Sequence, residues 1–302
     1  MIAITLTLFI VGGLVFLFVG SSKSARELDA TNRQIESGKY ALQVLQHELQ
    51  HAGYLSYFNP NRPDILTPAT VPNPCATALA DLVVAMPLHI QGADGAPGWA
   101  CLTDAKADSD VVVVRRASVC VTGSSVDCPV EGGVPYFQAA SCQSTTELGS
   151  PDVKNHYRLV TNRALLDRTK RNCADPEADR RYRVRILYVA NNYEPGDGIP
   201  TLVQVELGAG GFGAPVPIAP GIETMQLEYG IDTNGDGAPD VFDADPNTKD
   251  GCAPAVCAQF WRDVVAVKAY LLARSEGTFA GQVDTKEFHL GLDADQNELV
   301  IA

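Results

Sequence analysis

The chain opens on a long apolar run. No charged side chain occurs between Met1 and Ser22, and the run MIAITLTLFIVGGLVFLFVG consists mostly of Ile, Leu, Val and Phe. As a helix, about 20 residues rise about 30 Å, which matches the hydrocarbon core of a bilayer. A secretory signal peptide is the alternative, but it needs a basic start, a shorter apolar stretch and a small-residue cleavage site. The pattern therefore predicts a retained transmembrane helix over residues 1–22.

Residues 23–53 are predicted to continue this helix with one apolar face. Apolar residues recur about every seventh position, with two more on the same side: Leu28, Ile35, Leu42, Leu49, Leu45 and Ala52. This spacing is typical of an amphipathic helix that lies on another part of the protein. No proline separates it from the apolar run, so one helix of about 50 residues and about 75 Å is predicted. Gly53 and the turn-rich segment after it end the helix.

Residues beyond 54 alternate in the manner of β-strands. Within 181–190, one set of side chains comprises Tyr182, Val184, Ile186 and Tyr188, and the other comprises Arg181, Arg183 and Arg185. Similar alternation follows over 224–229 and 265–271. Such runs predict an antiparallel sheet with one buried and one solvated face. Together with the long N-terminal helix, they place the chain in the α+β class.

Charge and cysteine usage narrow the function and the compartment. The formal net charge of −13 over 302 residues argues against a nucleic-acid partner. The eight cysteines all follow the apolar run, and no two have C-x-x-C spacing. Disulfides in the periplasm or at the cell surface fit best, and buried free thiols are the alternative. The short-loop pairs predicted are Cys252 with Cys257 and Cys120 with Cys128.

A literal H-E-x-x-H occurs in the amphipathic helix. His47 and His51 are four residues apart, so on a helix both could bind zinc with Glu48 as general base. No recognisable third ligand motif follows, and Tyr54 stands where the extended metzincin form has glycine. The sequence therefore keeps a membrane-anchored zinc metallopeptidase only as a distant alternative to a non-enzymatic protein.

An acidic loop has the spacing of a calcium site. Oxygen ligands occupy positions 1, 3, 5, 9 and 12 of a twelve-residue run with glycine at position 6, and the main-chain carbonyl of position 7 completes the set: Asp232, Asn234, Asp236, Asp240, Asp243 and the carbonyl of Ala238. Position 12 is aspartate instead of the usual glutamate, and a predicted strand precedes the loop. A solvated acidic turn is the alternative. The spacing predicts calcium as a possible cofactor.

Four segments together resemble the PilW family of type IV pilus minor pilins. They are the apolar run MIAITLTLFIVGGLVFLF, the helix ESGKYALQVLQHELQHAGY, the strand and turn IETMQLEYGIDTNGDGAPD, and the strand VVAVKAYLLARS. The resemblance spans nearly the whole chain in order, with variable loops between the segments. In that family, the positions of His47 and His51 usually carry other polar residues.

The resemblance implies a type IV pilin-like fold and a single-pass inner-membrane protein of a Gram-negative bacterium. Residues 1–22 would be the transmembrane and filament-core half of the helix, 23–53 its amphipathic half, and 54–302 a periplasmic β-rich head. The expected partners are other minor pilins, the major pilin and a pilus-tip adhesin. The expected role is pilus initiation at or near the tip, which supports twitching and adhesion. A type II secretion pseudopilin is the alternative with the same fold.

The family pattern also implies a segment ahead of Met1. A prepilin begins with a short basic leader that ends in glycine, followed by Phe-Thr-Leu-x-Glu. Met1 aligns just after that glutamate. The resemblance therefore leads us to expect either a start codon further upstream or a copy without the cleavage site.

Overall fold

The structure is a computed structural model that describes residues 2–62, 64–249, 251–277, 286–293 and 295–301, except for the side chains of residues 2–6, 8 and 9. The helices are α1 Ile2–Gln50, α2 Leu79–Ala85 and α3 Pro254–Arg262, with 3-10 turns at Val153–Asn155 and Arg163–Leu165. The strands are β1 Ile90–Ala93, β2 Val111–Ala117, β3 Tyr136–Ala139, β4 Tyr157–Val160, β5 Asp179–Ala190, β6 Thr201–Gly208, β7 Gly211–Phe212, β8 Val216–Pro220, β9 Ile222–Ile231, β10 Val241–Asp243, β11 Val264–Ala273, β12 Phe288–Leu292 and β13 Glu298–Ile301. The arrangement confirms the predicted α+β class with antiparallel sheets.

Strand β5 organises the large antiparallel sheet. One edge pairs with β2, which in turn pairs with β1. The other edge is shared, because the start of β5 pairs with β3 and its end pairs with β6. Strands β4 and β8 extend the sheet beyond β3 and β6. A second sheet has the order β10-β9-β11, and β12 with β13 forms a hairpin.

Both faces of the large sheet are buried, so the predicted solvated face is wrong. Val111 and Val113 of β2 face a core that α2 and the segment around Leu55 cover. Val112 and Val114 face the opposite core, beneath α1 and the second sheet. A strand that is buried on both faces has a continuous run of apolar residues in its sequence instead of an alternating pattern. This explains the four consecutive valines of β2.

Helix α1 is continuous through Gly12, Gly13 and Gly20, as the sequence predicts. The predicted apolar face is buried only in part. Leu45 is fully buried and Leu49 and Ala52 pack against the same core, whereas Leu28 and Ile35 are exposed. The difference arises because the head contacts only the end of the helix: Gln34 donates a hydrogen bond to the Ala273 carbonyl, and the core packing lies beyond that point.

Within the residues that the structure describes, no helix is both long enough and apolar enough to cross a membrane. The prediction of a single-pass anchor over 1–22 is therefore unsupported.

A buried carboxyl group joins the large sheet to the second sheet. Asp110, just before β2, is 2% exposed. Its carboxyl oxygens accept hydrogen bonds from the Leu227 amide at 2.7 Å and from the Gly95 amide at 3.3 Å. Burial, together with the nearby Asp94 charge, raises the pKa of Asp110 to about 8. The carboxyl is therefore mostly protonated in the fold at neutral pH and ionised in the unfolded chain.

We expect this group to make stability fall as pH rises from about 4 to about 8. In that range the folded state holds one more proton than the unfolded chain, so the unfolding free energy declines with pH. Below about 4 and above about 8, the contribution of Asp110 is constant. The Asp110→Asn variant should show a shallower decline in chemical denaturation between pH 5 and 8. Asp108→Asn, at an exposed neighbour, is the control. An unchanged slope in Asp110→Asn would contradict this account.

Candidate functional site

One buried carboxylate fixes α1 on the large sheet. Glu48 is 2% exposed and points from α1 towards β2 and β5. Arg116 of β2 meets it with two nitrogens, each 3.1 Å from a Glu48 oxygen. Arg185 of β5 donates to Glu48 through Nη1. Two strands therefore hold one helix residue through charge-assisted hydrogen bonds.

A second carboxylate lies behind this contact. Glu206 of β6 accepts from Arg185 Nε at 2.8 Å and from Arg183 at 2.9 Å. Arg181 completes the row, with Nη2 lying 3.1 Å from Glu206. The arginines that the sequence pattern assigned to solvent thus form a partly buried ladder beneath the end of α1. Their glutamate partners lie far away in sequence, on α1 and β6.

The charges of the ladder stabilise the ionised form of Glu48. Burial alone raises the pKa of Glu48, but the Arg116 hydrogen bond and the charges of Arg185 and Arg116 outweigh it, so the pKa lies below its ordinary value. Truncating one partner of such a buried pair leaves the other charge unpaired and costs about 3–5 kcal/mol. The ladder therefore determines where α1 docks.

The H-E-x-x-H motif is used for this docking. Glu48 turns inward to the arginines, so it is not available as a general base. His51 Nδ1 lies 2.7 Å from the His47 carbonyl, and the two rings are 4.6 Å apart on the outer side of the helix. Within the described part of the chain, no group of three or more His, Cys, Asp or Glu side chains is arranged to hold a metal ion. The zinc-peptidase alternative gains no support.

The predicted calcium loop connects β9 to β10 and is closed by its own hydrogen bonds. Asp232 accepts from the amides of Asn234, Gly235 and Gly237. These amide contacts, led by that of Gly237, lower the pKa of Asp232. Asp240 accepts from the Thr233 amide and hydroxyl. A hydrogen-bonded carboxyl group at each end therefore shapes the loop.

The remaining predicted ligands divide between the loop and the core. Asp236 is exposed and accepts from the Ala238 amide, and Asn234 donates to Asp240. Asp243 instead lies buried in β10, 3.1 Å from Lys249 Nζ and within hydrogen-bond distance of Gln296. The structure thus places Asp232, Asn234, Asp236, Ala238 and Asp240 in one turn and pairs Asp243 with a lysine. Calcium binding stays a prediction.

Four disulfide bonds cross-link the head. Both predicted short-loop pairs are present, Cys120–Cys128 and Cys252–Cys257. The other two pairs are Cys75–Cys101 and Cys142–Cys173. The long-loop pairs could not be assigned from sequence, because eight cysteines allow 105 pairings. Disulfides are typical of an oxidising compartment.

At the other end of α1, the described apolar side chains are largely exposed. Large apolar side chains at Ile10, Val11 and 14–19 are about half to four-fifths exposed, with Phe16 at 80% and Phe18 at 73%. Val15 and Phe18 belong to the apolar run over residues 1–22, whereas the side chains of Ile2, Leu6 and Phe9 in that run lie outside the described residues. An exposed apolar surface of this extent indicates contact with another molecule.

Replacing Glu48 tests the docking contact. We expect Glu48→Gln to lower the unfolding free energy by about 3 kcal/mol, because the buried Arg116 and the half-buried Arg185 lose their shared charge partner. Denaturant melts of the full chain measure the loss. Glu36→Gln is the matched control, because Glu36 is an exposed residue of the same helix, and its effect should stay within about 0.5 kcal/mol. Equal losses in the two variants would contradict the assignment.

Comparison with known proteins gives one match. Residues 186–297, from the middle of β5 to the turn before β13, match the family model of PilW, the type IV pilus-assembly protein W. No curated protein and no solved structure matches the chain. PilW is a family of pilus-assembly proteins and not a known enzyme family. The match confirms the resemblance seen in the sequence, and the PilW family implies a role in type IV pilus assembly.

Proposed function

We propose that this protein is a minor pilin that takes part in initiating type IV pilus assembly. The observation that carries the proposal is the PilW match over much of the β-rich head. The burial of α1 supports the proposal, because one end of the helix packs against the head and the apolar side chains near its other end are exposed. In this proposal, a pilin-like fold would comprise this helix, the sheets that cover its docked end, and the exposed apolar end.

The division of α1 suggests how the subunit is used. Ala41, Leu45 and Glu48 dock the helix within the chain, so they are not available to a partner. The side chains from Ile10 to Val19 project around the helix without a partner among the described residues of the head. A helix that is apolar on all sides is stable only when it is buried in a larger assembly or a bilayer. We therefore assign this end to the helices of neighbouring pilus subunits.

This reading includes the finer expectations for partners and place. Other minor pilins, the major pilin and a tip adhesin would contact the subunit, and its position would be at or near the pilus tip. Twitching and adhesion would depend on it indirectly, through the number of pili assembled. Envelope or pilus association accords with the family and with the disulfides. A type II secretion pseudopilin would use the same helix in another filament.

A substitution to a charged residue at the exposed apolar end of α1 distinguishes an effect on pilus assembly from an effect on folding. We expect Phe16→Asp to reduce surface piliation and twitching as strongly as gene deletion, because it places a carboxylate in an apolar helix contact. The melting temperature of the head should not change, since Phe16 is 80% exposed. Leu66→Asp, at an apolar residue that is 86% exposed outside α1, is the control and should leave piliation normal.

Piliation counts by electron microscopy, with the variant chain quantified in the cell envelope, measure the effect. Normal piliation in a clean deletion would contradict the minor-pilin proposal. Loss of type II secretion with normal pili would instead favour the pseudopilin alternative.

The acidic loop extends the proposal to a calcium ion. Carboxylate and carbonyl oxygens are the ligands that calcium prefers, and the loop offers Asp232, Asp236, Asp240 and the Ala238 carbonyl. A bound ion would need the loop carboxylates to exchange their amide contacts for the cation. Lys249 already forms an ion pair with Asp243, so the exposed loop side chains would provide most of the calcium ligands.

Millimolar calcium should raise the melting temperature of the oxidised full chain, because a ligand that binds only the folded state stabilises it. Asp236→Ala should abolish the rise. Asp295→Ala, in the acidic turn between β12 and β13, should preserve it. Elemental analysis after dialysis provides the stoichiometry. An unchanged melt in calcium, or a rise that persists in Asp236→Ala, would overturn the site.

A further inference from the structure

An acidic cavity lies between the second sheet and the hairpin of β12 and β13. Its volume is about 510 Å³. Strand β9 and the segment before β2 line one side, and β13 lines another. Four carboxylates face it, Asp94, Asp108, Glu223 and Asp293, against one lysine, Lys106. The cavity therefore carries an excess of negative charge.

Three of these carboxylates have no cationic partner. Glu223 is neutralised, because it lies 3.0 Å from Lys106 Nζ and 2.8 Å from Arg274 Nε. Among the described residues, the aspartates that form ion pairs with basic side chains lie elsewhere in the chain, and Asp94, Asp108 and Asp293 form none. Neighbouring charges of one sign repel each other. The cavity therefore favours a ligand with a positive charge.

A buried amide adds an unpaired acceptor to the cavity. Gln226 lines it and is 4% exposed. Its Nε2 donates to the main-chain carbonyl of Asp108 at 3.1 Å and to Thr224 Oγ1 at 3.3 Å. Thr224 Oγ1 donates to the same carbonyl, so it can only accept from Gln226, which fixes the orientation of the amide. Gln226 Oε1 has no partner among the described residues, so it can accept from an N–H donor.

The side of the cavity formed by β13 is apolar. Leu299, Val300 and Ile301 line it, and Val300 is 43% exposed. The hairpin is held in place because Gln296 Nε2 donates to Asp243 at 3.1 Å. Across the described residues, no three acidic or metal-binding side chains are arranged to share a metal ion. The cavity therefore suits an elongated cation with an apolar stem instead of a metal.

We propose that this cavity receives a lysine side chain of a partner protein. Lysine has a four-carbon stem that packs on apolar surface and an ammonium group with three donors. The stem lies against β13, and the ammonium donates to the Asp94 and Asp108 carboxylates and to Gln226 Oε1. These acceptors come from three separate segments, whereas an arginine needs two parallel acceptors. The inference rests on the proposed function in that the partner is a neighbouring component of the pilus.

Butylammonium, which reproduces the lysine side chain alone, tests the cavity. Saturation-transfer NMR on the full chain in micelles of an uncharged detergent measures its binding. Butanol has a similar stem without the charge and should bind about fivefold more weakly. Asp108→Asn should weaken butylammonium binding about fivefold, while the main-chain carbonyl that holds Gln226 is unchanged. Asp127→Asn, at an exposed aspartate outside the cavity, should have no effect.

Carbodiimide cross-linking in intact cells tests the partner. This reagent joins a carboxylate to a lysine amine that contacts it. We expect mass spectrometry to find Asp94 or Asp108 joined to a lysine of another pilus component. Val300→Ser keeps every carboxylate but removes part of the apolar wall, so the yield of this cross-link should fall about threefold. Asp127→Asn should leave the yield unchanged.

Four results would overturn the proposal. Two of them are equal binding of butylammonium and butanol, and unchanged butylammonium binding in Asp108→Asn. The third is displacement of butylammonium by millimolar magnesium, which would identify a metal site. The fourth is the absence of the cross-link in cells, which would leave a site for small amines only.

Failure of the cavity and failure of the proposed function give different results. A cross-link to a protein outside the pilus would support the lysine site and contradict the proposed function. Normal piliation in the gene deletion would contradict the proposed function without affecting butylammonium binding.

Discussion

The carboxylate of Glu48, buried between Arg116 and Arg185, is the contact on which the architecture depends. Apolar packing of Ala41 and Leu45 brings α1 to the sheet, but such packing tolerates sliding and rotation. A carboxylate that must meet two guanidinium groups from different strands tolerates neither. The ladder beneath it, built around Glu206, fixes those guanidinium groups in turn. The direction of the helix relative to the head is therefore set by a small number of buried charges.

Because α1 is fixed on the head, the head and the projecting end of the helix have different roles. The head is closed on both faces of its large sheet, joined to the second sheet through Asp110, and stapled by disulfides. Large apolar side chains are exposed close together from Ile10 to Val19 of α1, which extends beyond the head. A rigid support for a projecting apolar helix suits a component that enters an assembly by its helix. This agrees with the role in pilus assembly that the PilW family implies.

The sequence patterns predicted the helices and strands more accurately than they predicted which faces of those elements are buried. The length of α1, the alternation of β5 and the short disulfide loops follow from local spacing, and the structure has all three. The prediction of a solvated face on the large sheet was wrong because Arg183 and Arg185 pair with glutamates on α1 and β6. No local sequence pattern links these glutamates to the arginines. The predicted apolar face of α1 is buried only near its end, where Leu45 lies, and Glu48, a polar residue in the sequence pattern, lies at the centre of the contact. The H-E-x-x-H spacing was present, but its glutamate serves docking. Acidic loop spacing alone likewise leaves calcium binding open to experiment.

Hydrogen exchange along α1 tests the central claim most directly. In the full chain, held in detergent micelles, amides of residues 41–50 should exchange as slowly as those of β5, because they open only when the head unfolds. Removing the charge of Glu48 should make this segment exchange through local detachment while β5 remains protected. Rapid exchange of 41–50 in the unaltered protein, or slow exchange that persists without the Glu48 charge, would contradict the claim that this buried carboxylate holds the helix on the head.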